Sequence, residues 1–519
     1  MLTAPHERRW TILFVLCIAV FLVVVDNTIV NVALPTLSRD FRASNSSLQW
    51  IVDGYSLPFA GLLLSGGGLA DRWGRKRVMM VALVAFGLFS FLAAHSHDIA
   101  SLLSARALMG SAAAFIFPAT LSLVTVTFDD PNERATAFGI WGAVAGVAVA
   151  VGPIVGGALI THYWFGSIFL VNLPIVFVAL VATALVVPES KNPVARRLDV
   201  GGLVLGTAGI LLLVLAIIEG PSWGWLSLTT MVLFVSAAML LVSFGLYEIR
   251  RTGPLFDVRL FRSGAFSAGA ASIATSYFCL FGFIFLVTQY FQMVRGYSAL
   301  SAGVHTLPFA IITVVATPLG ALLALRVGAR YVVAAGLGVM AAALTWMSFV
   351  AAAAAYVGPI LGSMSVLAVG FSLINAPSTA SLMGTLSPDQ VGSGAAMNET
   401  TRELGGTLGV AVTGSVFSSL FGPHLFRLFR GAGLSSVQLH SAQSSMQAAQ
   451  AAVAHFPPAL QVGALHAVTQ SFMQGLHRGC LVAAIVAAST GVAVLKYLPT
   501  RASSAALSVR PGATSKIRR

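Results

Sequence analysis

The sequence predicts an all-α membrane protein: fourteen transmembrane helices, disposed as two six-helix bundles with two further helices between them. Three observations carry that prediction. The first is composition. Of 519 residues, 57% are hydrophobic types and 9% are charged, with a mean hydropathy of +0.88; a soluble domain carries roughly 25% charged residues. Lipid must be the solvent of such a surface. The second is the number of apolar runs long enough for a bilayer core, which needs about 20 residues per helix. The third is an internal repeat whose copies stand 326 − 72 = 254 residues apart.

The runs fall near 10–35, 48–70, 78–95, 100–126, 135–160, 166–188, 200–219, 227–248, 264–292, 302–325, 331–352, 356–380, 395–421 and 476–498. The first has a basic flank, as a signal peptide would, but it continues through Asp26 to Pro35 without a small-residue cleavage site. It reads as a retained span. Lys and Arg placement then orients the chain. With the N-terminus in the cytoplasm, the inner segments hold 21 basic residues and the outer ones 6, so both termini are expected inside the cell. The break at 422–475, rich in Ser, Gln, Ala and His, falls outside and is expected to be partly ordered at best, with a short amphipathic helix near 440–455.

The repeat reads RWGRKRVMMVAL at 72–83 and RVGARYVVAAGL at 326–337. Each copy follows one span and opens the next, and duplicated halves are common among secondary transporters. Six spans cover only about 190 residues, so the longer repeat distance leaves room for two inserted helices. The predicted organisation is a first bundle over 1–190, two linker helices over 191–255, and a second bundle over 256–519 carrying the external loop and a basic cytoplasmic tail.

Several functions are excluded. The formal charge of +13 suggests nucleic acid, but the basic residues are dispersed over many short loops, and no nucleic-acid partner is expected. Cys17, Cys279 and Cys480 each sit in an apolar run without CxxC or Cys/His metal spacing. No GxxxxGK[ST] loop, nucleophile–base pair or metal cluster stands out. The chain is read as no enzyme, without cofactor or metal, and its energy must come from a gradient.

Ionisable residues within spans are few: Asp26, Asp53, Arg106, Glu399, Arg402 and Glu403, with His305 near a helix start. Each costs at least a few kcal/mol in hydrocarbon, so each is a functional candidate. Asp26, Asp53 and Arg106 are expected at comparable depth, where they could meet. An acid that exchanges arginine contact for apolar surroundings between two conformations binds and releases a proton. A helix cap is the alternative for Asp53, and a purely structural ion pair for Asp26 and Arg106. Glu399 and Glu403 share one helix face at i and i+4, with Arg402 able to pair with Glu399. They are expected at the inner end of span 13, either attracting a cationic substrate or forming a hydrated helix end. Gly405, Gly406, Gly409 and Gly414 follow as a close-packing run. For His305 a structural hydrogen bond is favoured over proton carriage.

Four motifs resemble one family. GGLADRWGRKR at 67–77 is similar to the GxLADRxGRK signature loop of the major facilitator superfamily. Gly67 and Gly74 there would permit close backbone approach, and Asp71, Arg72, Arg75 and Lys76 would latch the cytoplasmic side shut when the transporter faces outward. In the second copy Leu325 stands where Asp71 would. GPIVGG at 152–157 resembles the antiporter motif of the drug-export branch, carried by Gly152, Pro153, Gly156 and Gly157, with Ala148 where the pattern usually has a further Gly. A generic small-residue packing face is the alternative. DNTIVNVALP at 26–35 resembles the signature of the fourteen-helix drug:proton antiporters, and RALMG at 106–110 is similar to their RxxQG motif, with Met109 replacing Gln.

The resemblance implies the major facilitator fold. It implies proton-driven efflux of amphipathic, cationic or neutral drugs across a bacterial inner membrane, with small lipophilic molecules, protons and lipid as partners. A monomer is expected, with or without accessory export proteins. A dedicated exporter of one metabolite, antibiotic, siderophore or lipid is the alternative. A non-transporting membrane sensor or scaffold is a third reading, against which Asp26, Arg106 and GPIVGG speak. An importer is disfavoured by GPIVGG.

Overall fold

The structure is a computed structural model describing residues 8–191, 199–251, 257–386, 391–429 and 436–499. The basic tail beyond 499 and the basic residues Arg196, Arg197 and Arg430 lie outside the described residues. Within them the chain is helical and contains no strand. This is what lipid demands, since helices satisfy their own backbone groups.

The helices are α1 (Arg9–Phe41), α2 (Asn45–Trp73), α3 (Arg75–Ala94), α4 (Ile99–Thr127), α5 (Pro131–His162), α6 (Ser167–Leu170), α7 (Asn172–Val186), α8 (Val200–Trp223) and α9 (Leu228–Arg250). They continue as α10 (Gly264–Gln289), α11 (Ala299–Val327), α12 (Ala329–Met347), α13 (Leu361–Met383), α14 (Val391–Phe429), α15 (Ser436–Ser444), α16 (Met446–Val453) and α17 (Pro458–Tyr497). Among the described residues, 13 helical segments are long and apolar enough to cross a membrane, with α6 and α7 forming one of them. The remaining expected span, at 48–70, is the 29-residue α2. It is a less apolar helix, carrying Asp53, Pro58 and the glycines 66–68.

Helices α1–α7 form one bundle, in which α1 packs on α4, α5 and α7 while α2 and α3 pack on α4. Helices α10–α14 and α17 form another, with α10 against α13, α14 and α17. The two meet along α2 with α14 and α5 with α11, and α8, paired with α9, lies against both α2 and α14. The repeat is visible in the backbone. Gly74 between α2 and α3 has φ 111° and ψ 124°, and Gly328 between α11 and α12 has φ 104° and ψ 140°. Only glycine adopts such angles readily, which is why both copies keep it.

The expected loop at 422–475 is corrected. α14 continues to Phe429, α15 and α16 follow, and α17 begins at Pro458, well before 476. At 1.5 Å per residue α14 and α17 are each roughly 60 Å long, about twice a hydrocarbon core. Ala, Gln and Leu hold a helix without needing an apolar run, so hydropathy alone stops short. Met446, Ala449, Ala452 and Val453 bury the inner face of α16.

The bundles touch at one end. Where α2 begins, Gln292 Nε2 of the second bundle donates to the Val32 carbonyl at 2.9 Å, and Gln447 Nε2 to the Pro35 carbonyl at 3.3 Å. Gln49 lies against Gly414, and Gly157 against Ala299 and Leu300. At the other end polar contacts run within a bundle: Arg9 to Glu133 at 2.7 Å and Arg75 to Asp71 at 2.8 Å.

Candidate functional site

Asp26 and Arg106 form a sealed ion pair. Arg106 NH1 donates to Asp26 Oδ2 at 2.7 Å, and both side chains are 0% exposed. Arg106 Nε donates to the Ile51 carbonyl at 3.2 Å, and its guanidinium lies 4.3 Å from the centre of the Tyr55 ring. The other carboxylate oxygen, Oδ1, accepts from Asn172 Nδ2 at 2.7 Å. Asn172 also donates to Ser90 Oγ at 3.0 Å, and that hydroxyl to the Phe169 carbonyl at 2.8 Å. Asn172 opens α7, two residues before Pro174, and its side chain is fully buried. Sequence reading missed Asn172 and Ser90. The signal was a polar residue beside a proline in an otherwise apolar run.

Asp53 does not join this pair, contrary to expectation. Ile51 and Tyr55 lie one turn apart on the face of α2 that meets Arg106. Gln49 and Asp53 share a different face, the one on which Gln49 abuts Gly414 of α14. Asp53 is fully buried, and neither carboxylate oxygen has a hydrogen-bond partner among the described residues. It is therefore an isolated buried acid, not a helix cap; the cap of α2 is Ser44, which accepts from the Ser47 amide.

Glu399, Arg402 and Glu403 lie within α14, not at its end. The helix begins at Val391, so the acids sit two to three turns inside it. Arg402 NH1 donates to Glu399 Oε2 at 3.3 Å and packs 5.4 Å from the Tyr277 ring centre. Glu403 faces Asn27 of α1, the neighbour of Asp26, and interacts electrostatically with Tyr55. The second acidic group thus lies across the bundle interface from the first, near its level. Gly405 and Gly409 press α14 onto the α10 backbone at Ala274 and Phe278, as the close-packing run predicts.

The signature loop closes on its own bundle. Arg75 also donates to Ser190 Oγ at 3.3 Å, and Glu189 accepts the amides of Lys76 and Arg77, each at 3.1 Å. Glu189 and Ser190 were not foreseen. Lys76 Nζ reaches the Ala184 carbonyl at 2.8 Å, and Arg72 is exposed. The close-approach glycine is Gly66, against the Ala114 carbonyl; Gly67 has room, its nearest neighbour Pro118 being 3.6 Å from an added Cβ.

In the antiporter motif Gly152 and Gly156 press on Thr28 and Ile29 of α1, while Gly157 presses on α11. Gly303 of α11 reciprocates against the Pro153 carbonyl. The motif therefore packs the first bundle onto the second beside Asp26's own helix. His305 Nδ1 contacts the Ser301 carbonyl at 2.7 Å between the Tyr297 and Tyr356 rings, a structural setting as expected. Among the described residues no cluster of His, Cys, Asp or Glu suits a metal ion.

A helical, two-bundle membrane protein with a buried acid–arginine pair and glycine-lined bundle interface defines a secondary-transporter architecture. The chain belongs to the Major Facilitator Superfamily, which it matches over residues 16–410. It is 35% identical over 414 residues to the multidrug resistance protein Stp of Mycobacterium tuberculosis, covering 79% of this chain and 77% of Stp. It is 33% identical over 495 residues to the multidrug efflux pump LfrA of Mycolicibacterium smegmatis, covering 95% and 97%. It is 34% identical over 475 residues to the methyl viologen resistance protein SmvA of Salmonella typhimurium, covering 90% and 93%. A bacterial homologue of the human lysosomal transporter Spinster, crystallised inward-facing and unoccupied, superposes with a TM-score of 0.64 at 17% identity, covering 96% of this chain and 99% of that one. It shares the fold.

Proposed function

We propose that the protein exports amphipathic cationic or neutral compounds across the inner membrane in exchange for protons. The observation that carries this reading is that each bundle holds an acidic group, the two connected across the interface by Asn27, which follows Asp26 and meets Glu403. One is sealed and balanced by Arg106; the other has two acids to one arginine. The sealed pair suits the proton, because Asp26 can lose its arginine only if the helices move. The acid-rich group suits a cation. The names of Stp, LfrA and SmvA support drug efflux, and that of SmvA, methyl viologen resistance, supports cations.

With the N-terminus in the cytoplasm, the end at which Gln292 and Gln447 join the second bundle to α1 faces outward, and the opposite end faces the cytoplasm, where export begins. The signature loop then stands disengaged from the second bundle, ready to latch in the opposite state. The first bundle, the α8–α9 pair and the second bundle are read as the moving and linking parts of a monomer. A gradient suffices: one charge crossing 100 mV supplies about 2.3 kcal/mol, and each pH unit about 1.4 kcal/mol.

The test is purified protein in vesicles with an acid-inside pH gradient. Accumulation of ethidium that a protonophore abolishes is expected. Accumulation indifferent to the protonophore sinks the proton coupling, and no transport of any cationic or neutral amphipath sinks the export reading.

A further inference from the structure

A crevice runs down the flank of the first bundle, where α8 stands away from α4. Its volume is about 470 Å³, within the range of roughly 300–1,000 Å³ that holds small organic ligands. Its walls are hydrocarbon: Leu57 and Leu62 of α2, Leu103 and Ala107 of α4, and Ile210 and Leu211 of α8. Gly54 adds depth, because the nearest atoms an added Cβ would meet there belong to Leu103, 3.9 Å away. Leu404 of α14 completes the wall.

Ser104 and Thr207 add hydroxyls along the trough, and at the Trp50 end the indole connects it to a carboxylate, Glu219. α2 and α8 run antiparallel, with Gly61 against Thr207 and Trp50 reaching Glu219. Trp50 lines the crevice, and its Nε1 donates to Glu219 Oε1 at 3.0 Å. Among the described residues Trp50 is the hydrogen-bond partner of this carboxylate. Glu219 lies inside a candidate span, one turn before α8 ends at Trp223, where an acid is costly and calls for a role. A neutral chain would leave the carboxylate uncompensated, and an anion would be repelled. A cation beside an indole face and a carboxylate gains from both.

We propose that this crevice binds a single-chain amphipathic cation lengthwise, its hydrocarbon chain in the trough and its quaternary ammonium group against Trp50 and Glu219. The inference deepens the export reading by giving cationic substrates a membrane-side site, and rests on it only for the biological ligand.

The test uses full-length protein in lipid nanodiscs and dodecyltrimethylammonium bearing a photoreactive diazirine in its chain. Saturable labelling of the walls contributed by α4 and α8 is expected, with Glu219→Gln weakening it about tenfold or more and Ala107→Phe, which fills the trough, removing it. A chain-length series reads the same site in the unmodified protein: affinity rises about threefold to fourfold per methylene until the trough is full, then levels. Labelling confined to α1, α10 and the interior of α14 overturns the proposal. So does a Glu219→Gln protein that binds as tightly as the parent while a neutral dodecanol probe labels the same wall; the crevice is then an acyl-chain groove. Binding is read without transport, so a transport-dead protein that still labels here keeps the site, and an unlabelled crevice leaves the export reading standing.

Discussion

The two acidic groups differ in how their charge is balanced. In the first bundle one acid meets one arginine and one amide, and the pair is 0% exposed. In the second, two acids share one arginine, and the side chains of Glu399 and Arg402 are 15% and 26% exposed. A sealed and neutral pair is expensive to break but leaves nothing over for a ligand. An accessible group with formal charge of −1 attracts a cation and costs less to disturb. On the proposed export reading the difference gives proton and substrate to different bundles, and the variants below are ordered by how hard they strain that proposal.

Arg106→Ala should have the largest effect. It leaves the Asp26 charge buried without its partner, a loss of about 3–5 kcal/mol, visible as a lower unfolding temperature together with loss of transport. Arg106→Lys keeps the charge but not the planar fork and should retain part of both. Near-normal stability and transport in both variants would make the pair a bystander.

Asp26→Asn comes next. The amide still accepts from Asn172 or Arg106 through its oxygen, so folding should survive at a cost of about 1–3 kcal/mol. Uphill transport in vesicles should vanish while substrate binding persists. Uphill transport at the parent's rate would move the proton elsewhere, with Asp53, buried and without a hydrogen-bond partner among the described residues, the first candidate.

What the sequence made legible follows from the same contrast. Span number, repeat and the Asp26–Arg106 pairing were readable because charge in an apolar run has few solutions. Asn172 and Ser90 were not, because a neutral polar residue within an apolar run has many. The depth of Glu399 and Glu403 was misjudged because 391–398, VGSGAAMN, looks like a loop by hydropathy yet continues the helix. The separation of Asp53 from Arg106 depends on which face of α2 each neighbour takes, and similar depth alone could not settle it. The short helix expected near 440–455 is present as α16, but the continuation of α14 to Phe429 and the early start of α17 at Pro458 were missed because helices beyond the bilayer need no apolar run.

Glu399→Gln combined with Glu403→Gln should be milder for folding than either change above, since the group is part-accessible. Export of cationic dyes should fall about tenfold or more, and that of neutral amphipaths by much less. Equal loss of both classes would assign these acids to the proton path or to gating, and no loss of either would reduce them to a solvated patch.

The smallest effect on stability is expected at the signature loop, where the repeat supplies its own control. Both copies turn on a glycine of similar geometry, φ 111° at Gly74 and 104° at Gly328. Only the first ties the turn with charge: Asp71 and Arg75 meet at 2.8 Å, while the corresponding positions, 254 residues on, hold Leu325 and Ala329. The turn therefore forms without the ion pair, and the pair's role must lie elsewhere than in folding. Asp71 is one-third exposed, and an ion pair so placed contributes about 0–1 kcal/mol. Asp71→Asn should accordingly leave the unfolding temperature and substrate affinity almost unchanged and, if the proposed latch holds, slow turnover several-fold, because Asp71 would then exchange Arg75 for a partner on the second bundle each time that end closes. Stopped-flow transport against equilibrium binding separates the two quantities. A collapse in affinity at an unchanged cycling rate would show that the loop shapes the substrate site, and the charge difference between the two copies would then need an explanation other than gating.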